Sequence, residues 1–496
     1  MKFYWRAEVA VFLSGAAAMV IELAGSRIIA PYVGTSIIVW SSLIGSVLAS
    51  LSLGYWWGGL YADRSATYAS LSRVLFLAAV ATGGIALVQG GLFSLLPHLP
   101  GAPLRAVFSC IILFAPANIF FGMVPPCALR LTMHDMTSAG SVAGRLSALG
   151  ALGSIMGTFL TGFVLITYFG TVPIFFLLAL TLLASSFYVD AQDLKAWKAL
   201  ALFIFLLAFA FFNVVRDSSA HAGVIDMDTP YNRVIVYEST DPITHRRLRS
   251  YATDPYGTQS AMFLDDHNEI VFDYLKYFHL AEHFRPAPSR ALLLGGGAMS
   301  FPRDYILRNP DSHMDVVEID PRVVEIARDY FDFHDDPRLA VFNEDGRLFL
   351  NRAAGTYDAI YVDAFRNSSF VPFHLATREV VLHMYNLLSD DGVVVVNLIS
   401  AIEGDKSAFF RAQYATYRSV FPQVYAFPVD GSEDADQVQN IILIALRKKE
   451  PASFATNNLI TLAQLGHLWK GNVPVDTPIF TDDFAPADQY LARTQL

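Results

Sequence analysis

Apolar residues run in long blocks through the first 215 positions and in short bursts after that. A bilayer crossing needs ~20 apolar residues. Seven blocks reach that length: about 9–30, 37–61, 71–96, 104–124, 146–168, 172–189 and 197–215. Glycines recur inside two of them, Gly54, Gly58 and Gly59 in the second and Gly150, Gly153, Gly157 and Gly162 in the fifth. Small residues at three- and four-residue spacing let helices approach closely in lipid. Glu22 and Arg27 lie in or beside the first block. Charge at that depth is costly and turns inward, so the two form either a mutual ion pair or a polar site for part of a substrate. Pro125-Pro126 is expected to break the chain after the fourth block.

From residue 216 the pattern changes. Residues 216–223 read as a linker, and strand-like runs follow at 233–238 and 259–264. From Ala291 short apolar runs alternate with helical stretches. The expected strands are 291–294, 315–319, 339–342, 357–362, 393–398, 424–427 and 441–446, and the expected helices include 321–331, 377–388 and 406–421. This alternation predicts a largely parallel, doubly wound α/β sheet. The expected organisation is a multi-pass helical membrane domain (1–215), a linker with a small β subdomain (216–290), a Rossmann-like domain (291–450) and a polar C-terminal extension (451–496) with a helix at 459–469.

Composition sharpens the division. The chain of 496 residues is 54% hydrophobic and 16% charged, too apolar for one soluble protein of this size. Of its 35 Lys/Arg and 45 Asp/Glu, the first 215 residues hold 10 and 6, leaving 25 and 39 for the rest. An acidic second half argues against nucleic acid as a partner and suits cationic substrates. Cys110 and Cys127 are the two cysteines, and they suggest neither a disulfide framework nor a zinc site. The basic start and apolar run imitate a signal peptide, but Glu22 and Arg27 interrupt it, which reads as a retained first helix. Lys2 and Arg6, Arg64 and Arg73, Arg130 and Arg145, and Lys195 and Lys198 mark alternate loops. The bias of basic loops toward the cytoplasm then puts the N-terminus inside and, with seven crossings, the second half outside. A donor made in the cytoplasm would instead require the second half to lie inside.

In a doubly wound sheet, ligands bind at the carboxyl ends of the strands. Here those ends are Gly295-Gly296-Gly297, Glu318-Ile319-Asp320, Glu344-Asp345-Gly346, Asp363-Ala364-Phe365 and Asn397. Glycines admit a ligand to the backbone, Glu318 or Asp320 offers acceptors to ribose hydroxyls, and Asp345 offers one to an adenine amine. A dinucleotide fingerprint fits less well, because Gly295-Gly-Gly-Ala-Met-Ser300 lacks the third glycine at its usual place.

From about Thr229 to Ser400 the chain resembles the spermidine synthases, the polyamine aminopropyltransferases of the class I methyltransferase-like fold. The resemblance lies in Thr229-Pro-Tyr-Asn-Arg-Val234, Gln259-Ser260, Gly295–Gly297, Glu318-Ile-Asp320, Asp336-Pro-Arg338, Glu344-Asp-Gly346, Tyr357-Asp-Ala-Ile-Tyr-Val-Asp363 and Leu388-Ser-Asp-Asp-Gly-Val393. The whole chain is similar to membrane-fused members, with Glu22-Leu-Ala-Gly-Ser-Arg-Ile-Ile-Ala-Pro31 in the first block. The resemblance implies decarboxylated S-adenosylmethionine as donor and no metal. It places Asn232 (where the family usually has Gln), Gln259, the three glycines, Glu318 and Asp320 at the donor, with Asp345-Gly346 at its adenine. It makes Asp363 the general base, since an attacking amine must be relieved of its proton. Family members are commonly dimers or tetramers, so a homodimer is implied.

The departures concern the acceptor. The family's Asp after the glycines is Ala298 here, its second Asp after the fourth strand is Arg366, and its Tyr-His-Glu is replaced by about Phe272-Asp273-Tyr274. A linear diamine wants carboxylates at both ends. Asp273 restores one, Tyr274 lies beside it, Arg366 suits an anionic acceptor, and His374 offers a second acid/base group or is a loop histidine. The expectation is aminopropyl transfer to an amine at a membrane. The alternatives are methyl transfer from S-adenosylmethionine to a membrane-proximal acceptor, and a transporter or sensor whose second half binds a nucleoside or polyamine without catalysis.

Overall fold

The computed structural model describes residues 4–34, 36–99, 101–133, 139–221, 223–254, 257–364, 371–431 and 435–492. The chain divides into two compact units, 1–222 with 226–232, and 223–225 with 233–496.

The first unit has seven helices long and apolar enough to cross a membrane among the described residues. They are α1 (Trp5–Val33), α2 (Ile37–Arg64), α3 (Tyr68–Leu95), α4 (Ala102–Thr132), α5 (Ala139–Tyr168), α6 (Thr171–Val189) and α7 (Lys195–His221). Two helix pairs meet backbone to backbone. A Cβ on Gly54 of α2 would lie 2.2 Å from the Ile119 carbonyl oxygen of α4, and one on Gly153 of α5 would lie 2.0 Å from that of Phe12 in α1. Large apolar side chains such as Trp56, Phe163 and Phe211 face outward. Two expectations change. Helix α4 runs unbroken through Pro125 and Pro126, as happens where neighbouring helices support the freed backbone groups. Helix α7 continues to His221 and so absorbs most of the stretch read as a linker.

Two buried charges in this unit have partners. Glu8 of α1 pairs with Arg145 of α5 at 3.0 Å. The Lys198 ammonium, wholly buried, donates to the Ser72 hydroxyl at 2.7 Å and to the carbonyls of Ser186 and Asp190. Cys110 and Cys127 are buried free thiols.

The second unit begins with an antiparallel meander, β2 (Arg233–Thr240), β3 (Arg247–Asp254) and β4 (Gly257–Phe263), which follows the short strand β1 (Ile225–Asp228). Strand β3, Arg-Leu-Arg-Ser-Tyr-Ala-Thr-Asp, carries too few apolar residues to stand out in the sequence. Two short helices follow, α8 (Asp273–Tyr277) and α9 (Leu280–Phe284). A seven-stranded sheet then has the order β10-β11-β9-β8-β5-β6-β7. Its strands are β5 (Arg290–Leu294), β6 (His313–Val317), β7 (Leu339–Phe342), β8 (Tyr357–Val362), β9 (Leu388–Ser400), β10 (Gln423–Pro428) and β11 (Gln439–Leu446). Strands β5 to β9 pair in parallel, whereas β10 and β11 are antiparallel, so the sheet is mixed at one edge. The central strand β8 is buried at every residue, as a sheet covered on both faces requires. Leu292, Leu294 and Ile360 pack into one core cluster, and Leu293, Ala359 and Tyr361 into the other. The alternation along each strand supplies both faces.

Candidate active site

The glycine run follows β5. Gly295 has φ +94°, and a Cβ there would sit 2.3 Å from the main-chain oxygen of Asp363. Only glycine lets the end of β5 press against the chain leaving β8. The parallel ladder continues past the strands: Asp363 N–H donates to Leu294 O at 2.9 Å, Gly295 N–H to Val317 O at 2.8 Å, and Glu318 N–H to Phe342 O at 3.0 Å. Four strand ends are thereby held in register, and their acidic residues arrive at one rim.

The Glu318 carboxylate reaches back over the glycines. Oε2 accepts from Gly296 N–H at 3.0 Å and Gly297 N–H at 3.2 Å, and Oε1 accepts from Asp320 N–H at 3.0 Å. Burial pushes this carboxyl above its ordinary value against those three donors, and the charge of Asp320 adds to the rise. With its loop amides already held by a carboxylate, the run is not a phosphate cradle. A carboxylate has about four acceptor positions, so Glu318 retains one for a hydroxyl. Asp320 is differently employed: it is buried and caps the helix α11 (Pro321–Tyr330), accepting from Arg322 N–H at 3.0 Å. Between them, α10 (Ser300–Arg308) starts from Met299 in the left-handed region.

Asp345 caps the next helix, α12 (Gly346–Arg352), through Arg347 and Leu348 N–H at 2.9 and 3.1 Å on Oδ1. Its Oδ2 lies 3.1 Å from His374 Nε2. His374 is thus placed with Asp345. A Cβ at Gly346 would make only ordinary contacts, the nearest with Leu375 Cδ2 at 3.5 Å, so this position does not demand glycine. On the meander, Gln259 carries a buried Nε2 with no hydrogen-bond partner among the described residues. The neighbouring Ser260 hydroxyl accepts from Ala298 N–H at 3.2 Å, beside the glycine loop. Asn232 belongs to the other compact unit, where it closes a turn with Thr229.

Asp363 stands just past the end of β8. Its Oδ2 accepts from the Tyr274 hydroxyl at 3.1 Å and its Oδ1 from Asn397 Nδ2 at 3.0 Å. Burial pushes the carboxyl up to about 6, against the pull of Asn397 and Tyr274. Asn440 Nδ2 donates to Asn397 Oδ1 at 2.9 Å and so turns the Asn397 amide nitrogen toward Asp363. Burial and the nearby Asp363 charge raise the Tyr274 hydroxyl well above its ordinary value, so it remains a donor. A carboxylate poised near 6, with both oxygens oriented, is suited to accept a proton near neutral pH.

Asp273 is 73% exposed and pairs with Lys276 of its own helix at 2.8 Å. Arg366 lies outside the described residues. In the helical unit Arg27 donates to the carbonyls of Thr229 and Pro230, and no Glu22–Arg27 ion pair forms among the described residues. An ion pair that does form in this unit, Glu8 with Arg145, joins the first helix to the fifth, and no local pattern in the sequence points to it. Asn440 is equally hidden, because its place opposite Ile399 depends on the register of β11 against β9.

Residues 274–429 match the Spermine/spermidine synthase domain family. A polyamine aminopropyltransferase of Vibrio vulnificus is 32% identical over 272 residues, covering 52% of this chain and 88% of the relative. Polyamine aminopropyltransferase 2 of Ralstonia nicotianae is 26% identical over 427 residues, covering 79% of this chain and 78% of that one. Among solved structures, a probable spermidine synthase from Corynebacterium glutamicum aligns with a TM-score of 0.40 and 22% identity over 49% of this chain and 86% of its own. The chain therefore belongs to the polyamine aminopropyltransferase family and is a transferase.

Proposed function

We propose that this protein is a membrane-embedded aminopropyltransferase that moves the aminopropyl group of decarboxylated S-adenosylmethionine to an amine. The observation that carries the reading is the Asp363 carboxylate, pushed up to about 6 and held by Tyr274 and Asn397 against the glycine turn. On this reading one of the donor's ribose hydroxyls takes the acceptor position that Glu318 retains, its adenine lies toward Asp345, and the Gln259 amide, whose Nε2 has no hydrogen-bond partner among the described residues, serves the same donor. A donor without phosphate suits a loop whose amides already hold a carboxylate.

The amine nitrogen attacks the aminopropyl methylene carbon bonded to the donor's sulfonium. The new C–N bond forms as the C–S bond breaks, and its electron pair goes to sulfur as a neutral thioether. The proton of the resulting ammonium passes to Asp363. The protein supplies alignment and a proton acceptor. The seven long apolar helices, with outward-facing Trp56, Phe163 and Phe211, support a place in the bilayer. The exposed, Lys276-paired Asp273 and the alanine at 298 leave the acceptor broader than a single diamine.

Product mass spectrometry on the detergent-purified protein tests this. Decarboxylated S-adenosylmethionine with a panel of diamines and polyamines is expected to give an aminopropyl adduct, reduced about 100-fold or more in Asp363→Asn. A methyl adduct from S-adenosylmethionine would move the protein to the methyltransferases. Donor binding without any product would leave a sensor.

A further inference from the structure

We propose that the C-terminal segment 464–469 is a positioning element for Asp363: through Gln464 and His467 it fixes the two side chains, Tyr274 and Asn397, that donate to that carboxylate. The proposal rests on Asp363 as the proton acceptor. Tyr274 stands on α8, a helix of five residues. One turn of helix does not hold itself, because the cost of nucleation outweighs its few hydrogen bonds. Leu275, Tyr277 and Phe278 pack this turn into the core, and the C-terminal segment adds directional contacts. The buried Gln464 donates from Nε2 to the Lys276 carbonyl at 2.9 Å, a carbonyl of the kind that a helix end leaves without an internal partner. His467 Nδ1 lies 2.8 Å from the Tyr277 hydroxyl. Tyr274 and Tyr277 are three residues apart and so neighbours on one helix face. What fixes Tyr277 therefore fixes the direction of Tyr274.

The same histidine reaches the second donor. Its Nδ1 lies 3.1 Å from the Pro428 carbonyl, at the end of β10. A carbonyl only accepts, which assigns the hydrogen to Nδ1. That hydrogen is shared between Pro428 O and the Tyr277 hydroxyl, whose own hydrogen turns to Val429 O at 3.5 Å. Val429 N–H in turn donates to Asn440 O at 2.9 Å, and the Asn440 side chain holds the Asn397 amide on Asp363. The segment is itself anchored: Leu465 lies in the core cluster of Tyr277 and Phe278, and Trp469 N–H donates to Ala426 O at 2.8 Å. One imidazole thus stands where the two chains of contacts meet, one ending on Asp363 Oδ2 and the other on Oδ1.

The test is infrared difference titration of the full-length protein in detergent. It follows the C=O stretch of the protonated Asp363 carboxyl, identified by its loss in Asp363→Asn. The wild-type midpoint is expected at about 6. His467→Phe and Gln464→Leu each remove a donor at nearly constant volume. Both should raise the midpoint by about half a unit or more, because a displaced donor no longer favours the charged form. His467→Asn, whose amide nitrogen can take the place of Nδ1, should restore it. In kinetics at about pH 9, where every form is ionised, His467→Phe should lower kcat about fivefold while donor KM holds. An unmoved midpoint in both monodisperse variants overturns the proposal, as does a His467→Asn midpoint displaced as far as that of His467→Phe. A kcat loss matched by an equal rise in donor KM also overturns it, since that marks a disturbed donor site. No product from the wild type, or wild-type rates in Asp363→Asn, overturns the reading of Asp363 and this proposal together. An inactive Asp363→Asn beside unmoved midpoints overturns this proposal alone.

Discussion

Replacing Tyr274 by Phe removes one of the two side-chain donors on Asp363, the hydroxyl at 3.1 Å from Oδ2, and leaves Asn397 at 3.0 Å on Oδ1. Burial pushes the carboxyl up to about 6, and both donors oppose that rise. A hydrogen bond to a charged group contributes about 1.5–3 kcal/mol, and one pH unit corresponds to about 1.4 kcal/mol. Water entering the vacated position recovers part of this, so the expected shift is about one unit upward, to about 7. Transfer requires the carboxylate, so the acid limb of kcat/KM should move by the same amount. At about pH 6.5 the ionised fraction falls from about three-quarters to about one-quarter, a loss of about threefold, whereas at about pH 9 both forms are fully ionised. The assay is initial-rate thioether release across that range with saturating donor. An acid limb that stays near 6 or moves lower would refute the argument. A uniform loss at every pH would mean that Tyr274 positions the substrate and does not tune the base.

Three other perturbations follow from the same geometry. Gly295→Ala places a Cβ 2.3 Å from Asp363 O at a φ of +94°, so a loss of about 3 kcal/mol or more in unfolding free energy is expected along with activity. Retention of both in a denaturant titration would contradict the close approach. Asn440→Ala frees the Asn397 amide to rotate and should lower kcat about tenfold while donor KM holds, with partial rescue by Asn440→Gln; an unchanged kcat would remove Asn440 from the positioning chain. The third concerns His279, whose ring lies 2.8 Å from Asp304 and 3.1 Å from Glu282. Burial lowers its affinity for a proton, but the adjacent carboxylates of Asp304 and then Glu282 carry it above 6.5. A raised folded value stabilises below 6.5 and is lost as pH rises through it. Wild type should therefore lose more stability than His279→Gln between about pH 6 and about pH 9, and parallel unfolding curves would argue against the charged ring.

Much of this protein is legible in its sequence because two of its patterns are local. A run of ~20 apolar residues spans a bilayer whatever its neighbours do, so seven helices emerge from hydropathy alone, as they do in the fold. Strand, glycine turn and acidic strand end are also short-range signals, and parallel pairing brings them together at one rim, which is why Glu318, Asp345 and Asp363 are recognisable as strand ends. What each carboxylate does there is a tertiary matter. Asp320 and Asp345 look equivalent to Glu318 in the sequence, yet they cap helices while Glu318 turns back onto the glycines. Asp273 sits next to Tyr274, yet one faces solvent with Lys276 and the other reaches Asp363. The Asn440–Asn397–Asp363 chain and the Glu8–Arg145 pair join residues far apart along the chain. Sequence alone determined where the seven long helices and the strands of the larger sheet fall, because propensity and periodicity act over a few residues. Only the tertiary structure decided which polar groups meet, because strand register and helix packing set those distances.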